Sequence, residues 1–104
     1  FARAEIDEPT QGYEYSRSGN PTRDGLERRL AALEDGQHGL CFASGLAAET
    51  AVVLTLLGPG DHVVLFDDLY GRARRLFTKI FSEQWGLSLT YVDATDIQRV
   101  AEAI

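Results

Sequence analysis

The stretch FASGLAAETAVVLTLLGPGDHVVLFDDLYG, residues 42–71, decides the fold. Its centre is HVVLF (62–66), continuous and β-branched, the pattern of a strand buried on both faces. Asp67 and Asp68 end that run. Ahead of it, LAAETAVVLTLL (46–57) is a largely apolar helix that starts after the Ser44-Gly45 break and is closed by GPGD (58–61). Before the break, HGLCFA (38–43) is short and apolar, and it is expected to form a further buried strand. Beyond Tyr70 a helix is expected over about 71–84, with Leu76 and Ile80, joined by Phe77 and Phe81, on one face. LSLTYV (87–92) is expected as a third strand, and DIQRVAEAI (96–104) opens another helix. Towards the N-terminus, Leu26, Leu30 and Leu33 recur at i, i+4 and i+7 as one helical stripe, with Pro21 near its start and Gly36 near its end. Residues 1–12 are polar, contain Pro9 and Gly12, and show no period, so they are expected as an extended lead-in.

Helices alternating with short apolar strands imply parallel βαβ units, an α/β class with right-handed crossovers. Such sheets take ligands at the carboxyl ends of their strands, which directs attention to the residues just after 43, 66 and 92. The last helix reaches Ile104 without a stop signal, and three strands leave edges that a soluble domain covers. These residues are therefore expected to be part of something longer.

A net charge of -6 and a pI near 4.7 over 104 residues argue against nucleic acid or an anionic membrane as partner. The single cysteine, Cys41, excludes an internal disulfide and points to a reducing compartment. No apolar run is long enough to span a bilayer, so a cytoplasmic protein is expected. Nine of the ten basic residues are arginines, and Lys79 is the sole lysine.

Three places carry chemistry. FASGLAAET (42–50) places the N–H groups of Gly45 and Leu46 at the positive end of a helix, a phosphate cradle in outline. The dinucleotide pattern G-x-G-x-x-G and the P-loop pattern are both missing. FDDLYG (66–71) puts Tyr70 just past the strongest strand, where its ring can lie on a flat heteroaromatic and its hydroxyl can handle a proton. Asp67 and Asp68 read as helix-end solvation or a cap, and no His or Cys stands at ligand spacing, so no metal is expected. Finally YEYSRSGNPT (13–22) sets Tyr15 and Arg17 on a loop ahead of a helix. A guanidinium fork and a phenol there suit phosphate oxygens, reached by folding back or from another subunit.

In this order and spacing, YEYSRSGNPT, FASGLAA and DDLYG strongly resemble the pyridoxal-phosphate enzymes of sulfur amino-acid metabolism, the cystathionine lyases and synthases with methionine γ-lyase. The resemblance runs over essentially the whole chain. It implies a partial three-layer α/β/α large domain of a fold-type I enzyme, with a mostly parallel sheet. Residues 1–22 would be an extended arm with a cross-subunit cofactor loop, and residues 23–104 the first part of the cofactor-binding domain. It implies pyridoxal 5'-phosphate as cofactor, with Tyr15 and Arg17 holding the phosphate of a neighbouring identical subunit in a tetramer built as a dimer of dimers. Gly45 and Leu46 would hold the phosphate of their own subunit, and Tyr70 would stack on the pyridine ring and assist proton traffic at a small amino-acid substrate. EYSRSGNPT, FASGLAA and YVDATDIQRVAEAI are nearest the γ-lyase branch, in which Glu14 would lie near the substrate's distal end. γ-Synthase and methionine γ-lyase are the alternatives within the family, and a non-catalytic phosphate- or partner-binding module is the alternative outside it.

Two departures qualify the resemblance. The family's Gly-Gly-Thr after the ring tyrosine is Gly71-Arg72-Ala73 here, so Arg72 either meets substrate or points outward on a basic face with Arg74 and Arg75. The family's Schiff-base lysine has no counterpart, since Lys79 in LFTKIF does not match its motif. The expectation is a chain that is inactive by itself.

Overall fold

The computed structural model describes residues 3–5, 8–9, 12–13 and 15–104. These fall into two compact units, Phe1–Ala43 and Ser44–Ile104.

In the first unit the lead-in is more than extended. Strands β1 (Arg3–Glu5) and β2 (Glu8–Pro9) pair antiparallel. Helix α1 (Pro21–Leu33) begins where its sequence says it should: Asn20 is extended at φ -151, and its side-chain oxygen accepts from the Arg23 N–H at 2.7 Å. Proline follows at the first helical position, where a missing N–H costs nothing. The helix ends with Asp35 in the left-handed region at φ 53, and the Gly36 N–H returns to the Ala31 carbonyl at 2.8 Å.

The strand expected over 38–43 is absent among the described residues. The segment lies along α1 instead. The Cys41 N–H donates to Glu27 Oε1 at 2.9 Å, and Gly39 sits so close to the helix that a Cβ there would fall on the Glu27 carbonyl oxygen. A helix side chain has taken a donor that a ladder would need. Cys41 is half-buried and free. The leucine stripe of α1 is helical as expected, but Ala31 is the buried residue and Leu33 is 79% exposed.

The second unit holds the parallel pair. Helix α2 (Gly45–Leu56) is capped by Ser44, and strands β3 (His62–Phe66) and β4 (Ser88–Val92) run parallel in register from His62↔Ser88 to Phe66↔Val92. Their entries are joined: the Gly60 N–H donates to the Gly86 carbonyl at 2.8 Å, and the Ser88 N–H to the Asp61 carbonyl at 2.9 Å. Both glycines have positive φ, 91 and 86, which a side chain would strain. Between the strands, α3 (Gly71–Arg75) runs straight into a π-helix over Leu76–Ser82. Helix α4 (Ile97–Ala103) closes the unit, with Asp96 Oδ1 accepting from the Gln98 N–H at 3.1 Å.

The core is Val53, Leu65, Phe77, Phe81 and Leu87, with Trp85 and Leu57 packed against it. Two expectations are corrected here. The sheet has two parallel strands among the described residues, and of β3 only Leu65 is buried, so one face of HVVLF is covered rather than both. The helix over 71–84 buries Ala73, Phe77 and Phe81, while Ile80 is 43% exposed. Residues four apart share a row in either kind of turn, and it is the 73/77/81 row that faces the core, with Leu76 half-buried against it.

Candidate functional site

The loop ahead of α1 is held by its own hydrogen bonds. The Tyr15 carbonyl accepts from the Ser18 and Gly19 N–H groups at 3.0 and 2.9 Å, and Asn20 Nδ2 donates to the Ser16 carbonyl at 3.0 Å. The Arg23 guanidinium donates to the Arg17 carbonyl through both Nη atoms, at 3.3 and 3.4 Å. Arg17 is therefore anchored by its backbone while its side chain stays exposed, its Cζ 5.1 Å from the Tyr15 ring centroid. The two side chains expected to share a ligand stand together. Glu14 lies outside the described residues.

The Tyr13 hydroxyl donates to Asp24 Oδ2 at 2.6 Å, and this bond, followed by burial and the negative charge of Asp24, raises the phenol above its ordinary 10.0. A raised value in the folded chain stabilises the fold below pH 10, and that contribution disappears as the pH climbs through the folded value. Tyr13→Phe should therefore flatten the alkaline fall in stability that thermal melts follow from about pH 9 to about pH 11. Identical alkaline slopes in both chains would contradict it.

In the second unit, the start of α2 leaves two donors open. Ser44 Oγ accepts from the Ala47 N–H at 3.1 Å, and the Ser44 carbonyl from the Ala48 N–H at 3.0 Å. The N–H groups of Gly45 and Leu46 have no acceptor among the described residues. A Cβ built on Gly45 would meet nothing within 4 Å, so an anion can come close to this backbone. The positive end of the helix adds to the attraction.

Tyr70 sits past the carboxyl end of β3, immediately before α3, and is 66% exposed with its ring open to a partner. Arg72 is exposed and lines a groove with Leu46, Arg75 and Lys79. The structure thus brings Leu46 and Arg72 to one groove, which Tyr70 does not line, while Tyr15 and Arg17 belong to the first unit. Lys79 Nζ pairs with Glu83 Oε1 at 3.0 Å, both side chains more than half exposed. Among the described residues no cluster of His, Cys, Asp and Glu could hold a metal. No helix among them is long and apolar enough to cross a membrane.

Arg74 is the residue that sequence reasoning missed. Grouped with Arg72 and Arg75 on an outward basic face, it turns back instead: Nη1 donates to the Asp67 carbonyl at 2.6 Å, and its Cζ lies 4.1 Å from the centroid of Tyr91. No spacing rule signals this contact, because Tyr91 arrives from the next strand. At the end of β4, Asp93 Oδ1 accepts from the Thr95 hydroxyl at 2.6 Å and its N–H at 3.0 Å, which holds the Asp93 carboxyl below its ordinary value.

Comparison with known proteins gives the family and the fold. The family described as Cys/Met metabolism PLP-dependent enzyme matches residues 2–104. The chain is 58% identical over 94 residues to a cystathionine beta-lyase of Coxiella burnetii, an alignment covering 90% of this chain and 24% of that protein. It is 50% identical over 93 residues to a probable cystathionine gamma-synthase of Herpetosiphon aurantiacus, covering 89% of this chain and 28% of the other. The crystal structure of cystathionine gamma-lyase from Lactobacillus plantarum complexed with L-serine superposes with a TM-score of 0.83 at 40% identity, over 100% of this chain and 26% of that one. The chain spans about a quarter of the length of these relatives. The fold is the expected one, a part of the α/β fold of fold-type I pyridoxal-phosphate enzymes.

Proposed function

Because the chain belongs to the Cys/Met metabolism PLP-dependent enzymes, we propose that it supplies the phosphate cradle and ring-stacking tyrosine of a carbon–sulfur lyase, with cystathionine γ-lyase as its branch. The observation that carries the reading is the pair of N–H groups on Gly45 and Leu46 that have no acceptor among the described residues, with open space over Gly45, in the same unit as the exposed ring of Tyr70. This donor set fits pyridoxal 5'-phosphate. Two neutral N–H donors at a helix start suit a phosphate, and an exposed phenol ring suits a pyridine.

When bound, the cofactor supplies an electron sink for charge developing at the α-carbon of a small amino-acid substrate. The chain's own residues bind and orient. Gly45 and Leu46 would donate to phosphate oxygens, and the Tyr70 ring would lie against the cofactor while its hydroxyl would hold or pass a proton. Tyr15 and Arg17, with an anchored backbone and an exposed guanidinium, would reach the phosphate of an identical subunit in a tetramer built as a dimer of dimers. Residues 1–22 would then act as the arm and residues 23–104 as the start of the cofactor domain. Glu14 and Arg72 would face the substrate, with Arg72 already on the groove shared with Leu46. The protein would work in the cytoplasm.

Lys79 is the sole lysine and is ion-paired on a helix. This supports a chain that binds the cofactor and, by itself, releases no oxoacid from cystathionine. The direct test titrates the chain with pyridoxal 5'-phosphate and with pyridoxal, followed by absorbance. The phosphorylated form should bind about tenfold tighter or better, the difference that one or two charge-assisted hydrogen bonds make. Equal affinities would remove the cradle, and oxoacid production from cystathionine by the 104-residue chain would remove the inactivity.

A further inference from the structure

One residue holds both ends of the loop that carries Tyr70, one end through its backbone and the other through its side chain. The Arg74 backbone N–H donates to the Tyr70 carbonyl at 2.9 Å, as the first turn of α3 requires. The same residue's Nη1 donates to the Asp67 carbonyl at 2.6 Å. Asp67 is also tied from its other side, its N–H donating to the Val92 carbonyl at 2.8 Å. The start of the loop is thus fixed to β4, and Arg74 closes the loop back onto that start.

The guanidinium is itself supported. Its Cζ is 4.1 Å from the centroid of Tyr91, and the Tyr91 hydroxyl shares a 2.7 Å hydrogen bond with Thr78 Oγ1 from the π-helix. A guanidinium can lie flat on a ring and donate in its own plane at the same time, which an ammonium cannot. The π-helix, the strand β4 and the loop therefore meet at one cation.

We propose that Arg74 is a positioning residue, which sets the place of the Tyr70 ring by closing the 67–70 loop, with Tyr91 and Thr78 as its support. The proposal rests on the reading of Tyr70 as the ring that lies on the cofactor. A loop held ready removes an ordering cost from cofactor binding, whereas a loop free to open lowers the apparent affinity by the fraction of time it is misplaced.

The experiment compares the whole chain with its Arg74→Ala and Arg74→Lys variants, first by amide exchange without cofactor and then by titration with pyridoxal 5'-phosphate. The amides to follow are those of Asp67 and residue 74, which are hydrogen-bonded, with Val63 and Leu65 of β3 as references. In Arg74→Ala the Asp67 and residue-74 amides should exchange about tenfold faster, a change of about 1.4 kcal/mol in local opening. The β3 amides should keep their rates. Arg74→Lys should behave like Arg74→Ala, because charge without the planar fork cannot stack and donate together. Cofactor affinity should fall at least about threefold in both variants.

Unchanged exchange at Asp67, equal acceleration throughout β3, or full recovery by lysine would each overturn the clamp. Loosened exchange with unchanged cofactor affinity would overturn the positioning role. If the unsubstituted chain fails to bind pyridoxal 5'-phosphate, the reading of Tyr70 falls and the positioning role with it, and the exchange rates still decide separately whether Arg74 closes the loop.

Discussion

Gly45→Pro should weaken pyridoxal 5'-phosphate binding by about tenfold to a hundredfold while leaving the melting temperature unchanged or slightly raised. Gly45 is the first residue of α2, the one helical position where proline fits without strain. The residue before it, Ser44, is extended at φ -157 and ψ 163, close to what a following proline demands. Nothing stands within 4 Å of a Cβ at this position, so the ring has space. The substitution therefore deletes one N–H and little else. A hydrogen bond to a charged group contributes about 1.5–3 kcal/mol, which sets the expected range. The folded chain loses nothing, since that donor has no acceptor among the described residues, and a stiffer unfolded chain adds about 0.4–1 kcal/mol of stability.

Gly45→Ala is the partner experiment. It keeps the N–H, the helix dipole and the open space, so it should bind the cofactor nearly as the unsubstituted chain does. A titration by absorbance or calorimetry on the three chains separates the causes. Equal affinity in the proline and unsubstituted chains would show that Gly45 donates to no phosphate. Equal weakening in the alanine and proline chains would point to crowding rather than to a lost donor.

The parts of the fold that the sequence made legible are those where one local rule decides. Asn20-Pro21 and Ser44-Gly45 each combine a capping side chain with a residue suited to the next position, and both helices start there. HVVLF has β-branched residues and sharp breaks on either side, and the strand matches it residue for residue. HGLCFA has the apolar character without the branching. Its outcome was decided by Glu27, fourteen residues upstream of Cys41, whose carboxylate takes the Cys41 N–H. A run of four to six apolar residues cannot show which neighbour will claim its backbone. The β1–β2 pair shows the reverse case, a polar lead-in without period that still forms a short ladder.

The candidate site divides in the same way. The places of Gly45, Leu46 and Tyr70, at a helix start and past a strand end, were legible because such junctions are marked locally. Arg74 was not, because its two side-chain contacts, to the Asp67 carbonyl and the Tyr91 ring, depend on how β3, β4 and the π-helix pack. A basic helix face and a clamp look alike until the third dimension is given.

The π-helix supplies the second large effect. Phe81→Ala should destabilise the second unit by about 3–5 kcal/mol, the range for emptying a buried phenylalanine site. Phe81 is 3% exposed, meets Phe77 edge-on with centroids 5.3 Å apart, and lies 6.0 Å from the Trp85 ring. Small domains hold about 5–15 kcal/mol in all, so this one side chain accounts for a large share of the total. Ile80→Ala, one residue earlier, should cost only about 1 kcal/mol, because that side chain is 43% exposed and full burial of isoleucine is worth about 1.5–3 kcal/mol. Urea titrations followed by Trp85 fluorescence read both, since the indole touches the cluster that Phe81 fills. The order of the two midpoints tests which row of the helix faces the core. With the 73/77/81 row turned inward, Phe81 dominates; with Leu76 and Ile80 turned inward, Ile80→Ala would be the costlier change. In that second case Thr78 would also turn away from Tyr91, and the ring that supports Arg74 beneath the Tyr70 loop would lose its hydroxyl's partner.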